Sequence, residues 1–134
     1  MTTATIEFTG NLRTRSVHTR SGEVIITDAP IDNKGKGEYF SPTDMLSSAL
    51  GSCIFTIMGI AAQEHGFSID GARCSVIKIM SDSPRAVAEV KIDFDFTGKQ
   101  YTDKQKKILE LCVRNCPVSR SLHPDLFQNV KLIF

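Results

Sequence analysis

The chain has 134 residues, an apolar fraction of 41%, a charged fraction of 23% and a formal net charge of +1. These values are typical of one globular domain, here residues 1–134, that can bury its own core. No charge run is long enough to favour nucleic acid or a membrane surface as a partner. The N-terminus lacks the pattern of a signal peptide, so we expect a cytoplasmic protein.

The N-terminal region has the loose alternation of β-branched residues that is typical of strands. Strands are predicted within 4–8 and 12–28. Breaks at 9–11 and 21–22 predict the turns of an antiparallel meander. Residues 30–41 are rich in glycine, proline and charge, so we expect a loop there.

A long apolar helix is predicted next. Ser41 suits the N-cap, Pro42 suits the first helical position, and Asp44 stands where the acid of a capping box stands. The run 45–63 has 19 residues and no charge, which is almost enough to span a bilayer. Small and polar residues dilute its hydrophobicity, so we expect instead a central helix buried on nearly all sides. Gly66 is a plausible stop.

The C-terminal half predicts a hairpin, a helix and a last strand. The hairpin comprises 72–80 and 86–97, the second of which alternates apolar and charged residues. A second helix is expected to begin near Thr102 and to end at Cys116, because a proline follows. Residues 129–134 form the predicted closing strand. The resulting order, β-β-β-α-β-β-α-β, belongs to the α+β class.

Four cysteines are the residues most capable of chemistry. Thiols of a cytoplasmic protein stay reduced unless they are catalytic or redox-sensing, so a structural disulfide framework is not expected. From spacing alone, Cys53 and Cys116 fit buried apolar residues as well as reactive thiols. Cys74 lies in a strand pattern and is expected to be inert. Cys112 precedes Cys116 by four residues, but the set lacks the spacing of a structural zinc site.

No phosphate-binding, dinucleotide-binding or hydrolase motif is present, so the sequence predicts neither a metal nor an organic cofactor. A reactive Cys53 would need a nearby positive charge to stabilise its thiolate. The helix N-terminus cannot supply it, because Cys53 follows Ser41 by 12 residues, or about 18 Å along the axis. An arginine from elsewhere in the chain must therefore approach a catalytic Cys53.

Three segments match motifs of one known family. Pro42 stands eleven residues before Cys53, as the family's helix proline stands before its peroxidatic cysteine. Residues 115–119, NCPVS, match the C-P-x-S segment around the family's resolving cysteine. Residues 20–24, RSGEV, match the segment that carries an arginine beside the reactive sulfur. The chain thus resembles the OsmC/Ohr superfamily of osmotically inducible and organic hydroperoxide resistance proteins.

The resemblance implies an OsmC-like intertwined homodimer in which two long central helices pack between sheets and each active site lies at the subunit interface. It implies that Cys53 reduces organic hydroperoxides, that Cys116 resolves the oxidised sulfur as a disulfide, and that Arg20 activates Cys53. A dithiol, such as a lipoyl group, would be the reductant. Family peroxidases carry a Glu directly after the helix proline to hold this arginine. Here that residue is Thr43 and the acid is Asp44, which suits capping better, although a catalytic role stays open.

Two other functions stay open at this stage. One is a redox sensor or other thiol protein of the same fold without efficient turnover, which steady-state peroxide consumption with a dithiol would distinguish. The other is a binding module whose dimer cleft holds an apolar ligand. In that case, Cys53→Ser would leave the function unchanged.

Overall fold

The computed structural model describes all residues, 1–134. In chain order the elements are β1 (Ala4–Gly10), β2 (Arg13–His18), β3 (Val24–Asp28), α1 (Pro42–Glu64), β4 (Arg73–Ser81), β5 (Ala86–Asp95), α2 (Asp103–Cys112), α3 (Pro117–Ser121) and β6 (Phe127–Ile133). The predicted order and the α+β class are confirmed, and the short helix α3 lies between α2 and β6. The chain forms two compact units, Met1–Met45 and Leu46–Phe134. A single domain over residues 1–134 stays a prediction.

The N-terminal unit contains the predicted antiparallel meander, in the order β1-β2-β3. A buried ion pair joins two of its strands. Arg13 donates through Nε to Asp28 Oδ1 at 2.7 Å and through a terminal nitrogen to Oδ2 at 2.9 Å. Asp28 is only 1% exposed, and it also accepts the backbone N–H of Glu38 at 3.1 Å. Hydrogen bonds from Arg13 hold the pKa of Asp28 below its usual value. This carboxylate therefore ties the following loop to the sheet.

Local signals set both ends of α1. The backbone N–H of Ser41 donates to Asp44 Oδ2, and the backbone N–H of Asp44 donates to Ser41 Oγ, each at 3.0 Å. This reciprocal pair is the predicted capping box. The helix ends at Glu64, and Gly66 follows with a φ of +75°, a left-handed conformation that glycine adopts without strain.

In the single chain, α1 is buried along one face. Its buried residues are Ser47, Leu50, Gly51, Ile54, Met58 and Ala62. Leu46 and Ile60 are 39% and 48% exposed. The structure thus differs from the expected burial on nearly all sides, because one sheet covers only one side of a helix. By length and composition alone α1 could also cross a membrane, a property that core helices share.

The C-terminal unit contains the main core. β5 pairs antiparallel with β4 and parallel with β6, and the chain between β5 and β6 includes α2 and α3. Val90, Ile92 and Phe94 of β5 are each 0% exposed, which confirms the predicted alternation. α1 approaches this sheet closely at Gly51, where a Cβ atom would lie 3.5 Å from Cys74 Sγ. The sheet and α1 therefore enclose one apolar layer.

The second helix begins as predicted but ends earlier. Thr102 caps α2 through a capping box with Gln105. The helix stops at Cys112, so the prediction that it reaches Cys116 is wrong. Pro117 disfavours helical geometry in the residue before it, which excludes Cys116 from α2. Cys116 accordingly has extended backbone angles, with φ of −87° and ψ of 143°, and it begins α3.

Candidate active site around Cys53 and Cys116

The structure brings Cys53 and Cys116 together within the C-terminal unit. Cys53 lies midway along α1 and is partly exposed, whereas Cys116 is 0% exposed. Cys53 packs against the buried cluster that contains Cys116, and its interaction with the Cys116 thiol raises the pKa of that thiol. Neither sulfur is in a disulfide. Two neighbouring thiols can form a disulfide if their sulfurs approach to about 2.05 Å.

Cys116 takes the N-cap position of α3. Its Sγ accepts the backbone N–H of Ser119 at 3.2 Å, as the side-chain oxygen of a serine cap would. Pro117 occupies the first helical position, where its missing N–H removes no helical hydrogen bond. The C-P-x-S segment therefore builds a turn whose own backbone holds the sulfur.

The environment of Cys116 disfavours its thiolate. Burial raises the pKa of Cys116 above its usual value, and the hydrogen bond and charge interaction with Cys53 raise it further. The backbone N–H groups of Ser119 and Val118 act in the opposite direction. In the resting protein, Cys116 is therefore a protonated thiol at neutral pH.

A residue that the sequence analysis missed fixes the turn after Cys116. Ser119 Oγ donates to Gln128 Oε1 at 2.5 Å, and Gln128 Nε2 donates to the Ser119 carbonyl at 3.0 Å. Gln128 lies on β6 and is partly buried. No local pattern marks this glutamine, because only the folding of α3 against β6 brings the two residues together.

The other two predicted site residues lie in the N-terminal unit. Arg20 is exposed in the turn between β2 and β3. This turn is closed by the N–H of Gly22, which donates to the His18 carbonyl at 2.8 Å. Asp44 forms the cap of α1 described above. The approach of Arg20 to Cys53 and a catalytic role for Asp44 stay predictions.

The other two cysteines, Cys74 and Cys112, are partly or fully buried. Cys74 is partly buried on β4, and burial raises its pKa. Cys112 is buried, its thiol donates to the Ile108 carbonyl at 3.2 Å, and burial raises its pKa as well. The structure contains no group of three or more His, Cys, Asp or Glu side chains that could hold a metal ion.

A cavity of about 540 Å³ opens beside the turn that follows Cys116. Its lining includes Ser119 and Gln128, two arginines, Arg114 and Arg120, and the 58% exposed ring of Phe127. The hydrogen-bonded pair of Ser119 and Gln128, called the clamp below, therefore borders this cavity.

The chain matches the family described as OsmC-like protein over residues 35–129. It is 46% identical to a candidate osmotic stress induced and detoxification response protein from Psychrobacter arcticus, with a TM-score of 0.95 over 99% of this chain and 96% of that chain. An organic hydroperoxide resistance protein OsmC from Legionella pneumophila has 11% identity and a TM-score of 0.73 over 100% and 98%. An OsmC-like protein from Mycoplasma pneumoniae has 16% identity and a TM-score of 0.78 over 97% and 94%. The last two show a shared fold. No curated protein sequence matches the chain.

Proposed function

Because the chain belongs to the OsmC-like protein family, we propose that it is a thiol peroxidase that reduces organic hydroperoxides through Cys53 and Cys116. The observation that carries the proposal is that the two cysteines are neighbours: Cys53 packs against the buried cluster that contains Cys116, and it raises the pKa of the Cys116 thiol. Two neighbouring free cysteines, one partly exposed and one fully buried, suit an attacking and a resolving sulfur. The Legionella pneumophila relative is an organic hydroperoxide resistance protein, which supports the choice of substrate.

The first step is the attack of Cys53 on the peroxide. Its thiolate takes the distal oxygen of ROOH, the O–O bond breaks, and the alcohol ROH leaves after it gains a proton. The sulfur loses two electrons and becomes a sulfenic acid. In this proposal Arg20 stabilises the thiolate and polarises the peroxide, because a guanidinium stays charged and offers several donors.

The second step joins the two sulfurs. The Cys116 thiol displaces the hydroxyl of the Cys53 sulfenic acid, a disulfide forms, and water leaves with the thiol's proton. A dithiol such as a lipoyl group then restores both cysteines by exchange and is itself oxidised to a disulfide. We place this cycle in the cytoplasm, where thiols are kept reduced.

We further propose that the protein works as a homodimer. Leu46 and Ile60 of α1 are 39% and 48% exposed, and Ile6 and Phe8 of β1 are 70% and 65% exposed. Such apolar surfaces are typical of faces that a partner covers. Light scattering at micromolar concentration should give twice the 14.8 kDa chain mass, and a well-folded monomer would refute this part of the proposal.

Intact mass spectrometry tests the chemistry directly. One equivalent of cumene hydroperoxide should remove two hydrogens from each wild-type chain, because one disulfide forms. Cys116→Ser should gain one oxygen instead. An unchanged wild-type mass would sink the proposal. Cys112→Ser serves as the matched control, since its thiol bonds to Ile108 within its own helix.

A redox-sensing protein without efficient turnover is the second candidate. It is favoured by the structure around Asp44, the acid next to the position of the family's glutamate, because this carboxylate accepts the Ser41 N–H as a helix cap. A sensor would form the same disulfide but consume peroxide only once. Steady-state consumption of cumene hydroperoxide with excess dihydrolipoate decides between the two functions.

A further inference from the structure

We infer that Gln128 is the positioning residue for the resolving step, because it holds the turn whose backbone holds the Cys116 sulfur. This inference rests on the proposed peroxidase function. It assigns a role to a side chain that hydrogen-bonds to Ser119 and acts on the sulfur through that residue.

The contacts form a continuous chain from the sheet to the sulfur. Gln128 is fixed on β6, where it pairs with Val90 of β5, a residue that is 0% exposed. Its amide accepts from Ser119 Oγ and donates to the Ser119 carbonyl. The N–H of the same Ser119 donates to Cys116 Sγ at 3.2 Å. Each link is a direct hydrogen bond or a strand pairing, so displacement of Gln128 is transmitted to the sulfur.

The amide suits this role because it donates and accepts at the same time. A carboxylate at position 128 could accept from the Ser119 hydroxyl but could not donate to the Ser119 carbonyl. A methionine has a similar length and could do neither. The remaining backbone of α3 gives little support, since the helix has only five residues. Within α3 the Ser121 hydroxyl also donates to the Pro117 carbonyl at 2.8 Å, but the clamp is the side-chain contact that ties Ser119 to β6.

Two consequences for the resolving step follow. First, the clamp keeps the Cys116 sulfur beside Cys53, so condensation with the Cys53 sulfenic acid needs little reorganisation. Second, the Ser119 N–H offsets part of the effect of burial on the Cys116 thiol, because it stabilises the developing thiolate. Loss of the clamp weakens both effects. It does not touch the first step, in which Cys53 attacks the peroxide.

Single-turnover kinetics of Gln128→Met separate these steps. With one equivalent of cumene hydroperoxide, dimedone trapping measures sulfenic acid at Cys53 and loss of free thiol measures the disulfide. We expect sulfenic acid to form within about twofold of the wild-type rate. Disulfide formation should slow about tenfold, which corresponds to the loss of one to two net hydrogen bonds. Sulfinic acid should then accumulate when peroxide is in excess.

A matched control and a double-mutant cycle exclude a general loss of packing. Asn129→Leu removes a comparable amide contact from the same strand, a 3.0 Å hydrogen bond to Glu89, and should leave both rates unchanged. Ser119→Ala removes only the hydroxyl link to Gln128 and should slow resolution less. In the Gln128→Met background it should add almost nothing, because the link is already absent.

The outcomes distinguish this inference from the proposed function. A wild-type protein that forms no sulfenic acid overturns both. A wild-type protein that cycles, with Gln128→Met resolving at the wild-type rate, overturns only the positioning role. Additive effects of Gln128→Met and Ser119→Ala, or equal slowing of both steps, would show a structural role and would also overturn it.

Discussion

Cys53 and Cys116 are held by segments of very different construction. Cys53 lies inside α1, a helix of 23 residues, so helical hydrogen bonds fix its backbone on both sides. Cys116 begins α3, a helix of five residues, and backbone N–H groups of that short helix and the Gln128 clamp hold it. A rigid segment suits a sulfur that must meet a substrate in a set geometry. A short segment suits a sulfur that must move to form and break a bond.

The two cysteines also differ in their exposure to solvent. Cys53 is partly exposed, while Cys116 is 0% exposed and its pKa is raised by burial. In the proposed cycle a peroxide therefore has better access to Cys53, while burial disfavours the thiolate of Cys116. The two surroundings would then give different roles to two chemically identical side chains.

The largest effects are expected when each of the two sulfurs is removed in turn, which tests whether they have different roles. Cys53→Ser should lower steady-state peroxide consumption at least about 1000-fold, because the attacking nucleophile is lost. Cys116→Ser should consume one equivalent of peroxide and then stop as a sulfenic acid or over-oxidise. A coupled assay with dihydrolipoate measures the first effect, and mass spectrometry measures the second.

Cys74→Ser and Cys112→Ser are the controls for both variants. They should turn over at nearly the wild-type rate, since neither sulfur belongs to the pair of Cys53 and Cys116. If Cys112→Ser traps the sulfenic acid while Cys116→Ser does not, the resolving role belongs to Cys112.

A smaller effect is expected from the residue proposed to activate Cys53. Arg20→Met should leave less Cys53 thiolate at pH 7, because Cys53 lies too far along α1 for help from the helix N-terminus. Loss of about 1.4 kcal/mol of thiolate stabilisation would slow alkylation about tenfold at pH 7. The rate should recover at high pH, where the thiolate forms without assistance. Iodoacetamide labelling of Cys53 against pH measures the change.

Arg15→Met is the matched control, because Arg15 is an exposed arginine of the same unit, on β2. Its labelling curve should coincide with that of the wild type. If the Arg20→Met curve also coincides, another group activates Cys53 or the thiol is not activated.

The features that could be predicted from the sequence depend on local signals. The start of α1 follows from Ser41, Pro42 and Asp44, which are adjacent in the chain and form the observed cap. The alternation in β5 likewise needs only its own residues. The resemblance to a family pointed to Cys53 and Cys116, which residue spacing alone left ambiguous.

The features that could not be predicted depend on distant parts of the chain. The parallel pairing of β5 with β6 places Gln128 beside Ser119, and no residue near either position indicates this contact. The bidentate bond of Arg13 to Asp28 likewise spans two strands. The early end of α2 was in principle predictable from Pro117, but the number of residues lost before a proline depends on tertiary packing.

The burial of Cys116 also predicts a pH effect on stability. Burial raises the pKa of the Cys116 thiol in the folded state. The thiol therefore adds to the free energy of unfolding at every pH below its pKa in the unfolded chain, about 8.5. This contribution to the free energy of unfolding is lost as the pH rises through the pKa of the thiol in the folded chain. The melting temperature of Cys116→Ala should therefore fall less between pH 7 and pH 10 than the melting temperature of the wild type. Parallel curves would show that the Cys116 thiol ionises as readily in the folded chain as in the unfolded one.

The smallest expected effect concerns Asp44, at the start of the helix that holds Cys53. As a cap, Asp44 accepts the Ser41 N–H, so Asp44→Ala should lower stability by about 1 kcal/mol. Asp44→Asn keeps an oxygen that can accept this hydrogen bond and removes only the charge. Both variants should label Cys53 at the wild-type rate if Asp44 only caps the helix. If Asp44 anchors Arg20, the asparagine variant should be stable but slow to label, because its neutral amide cannot hold the guanidinium by charge. Denaturant unfolding together with iodoacetamide labelling of the two variants therefore shows whether the support of α1 and the activation of Cys53 share one carboxylate.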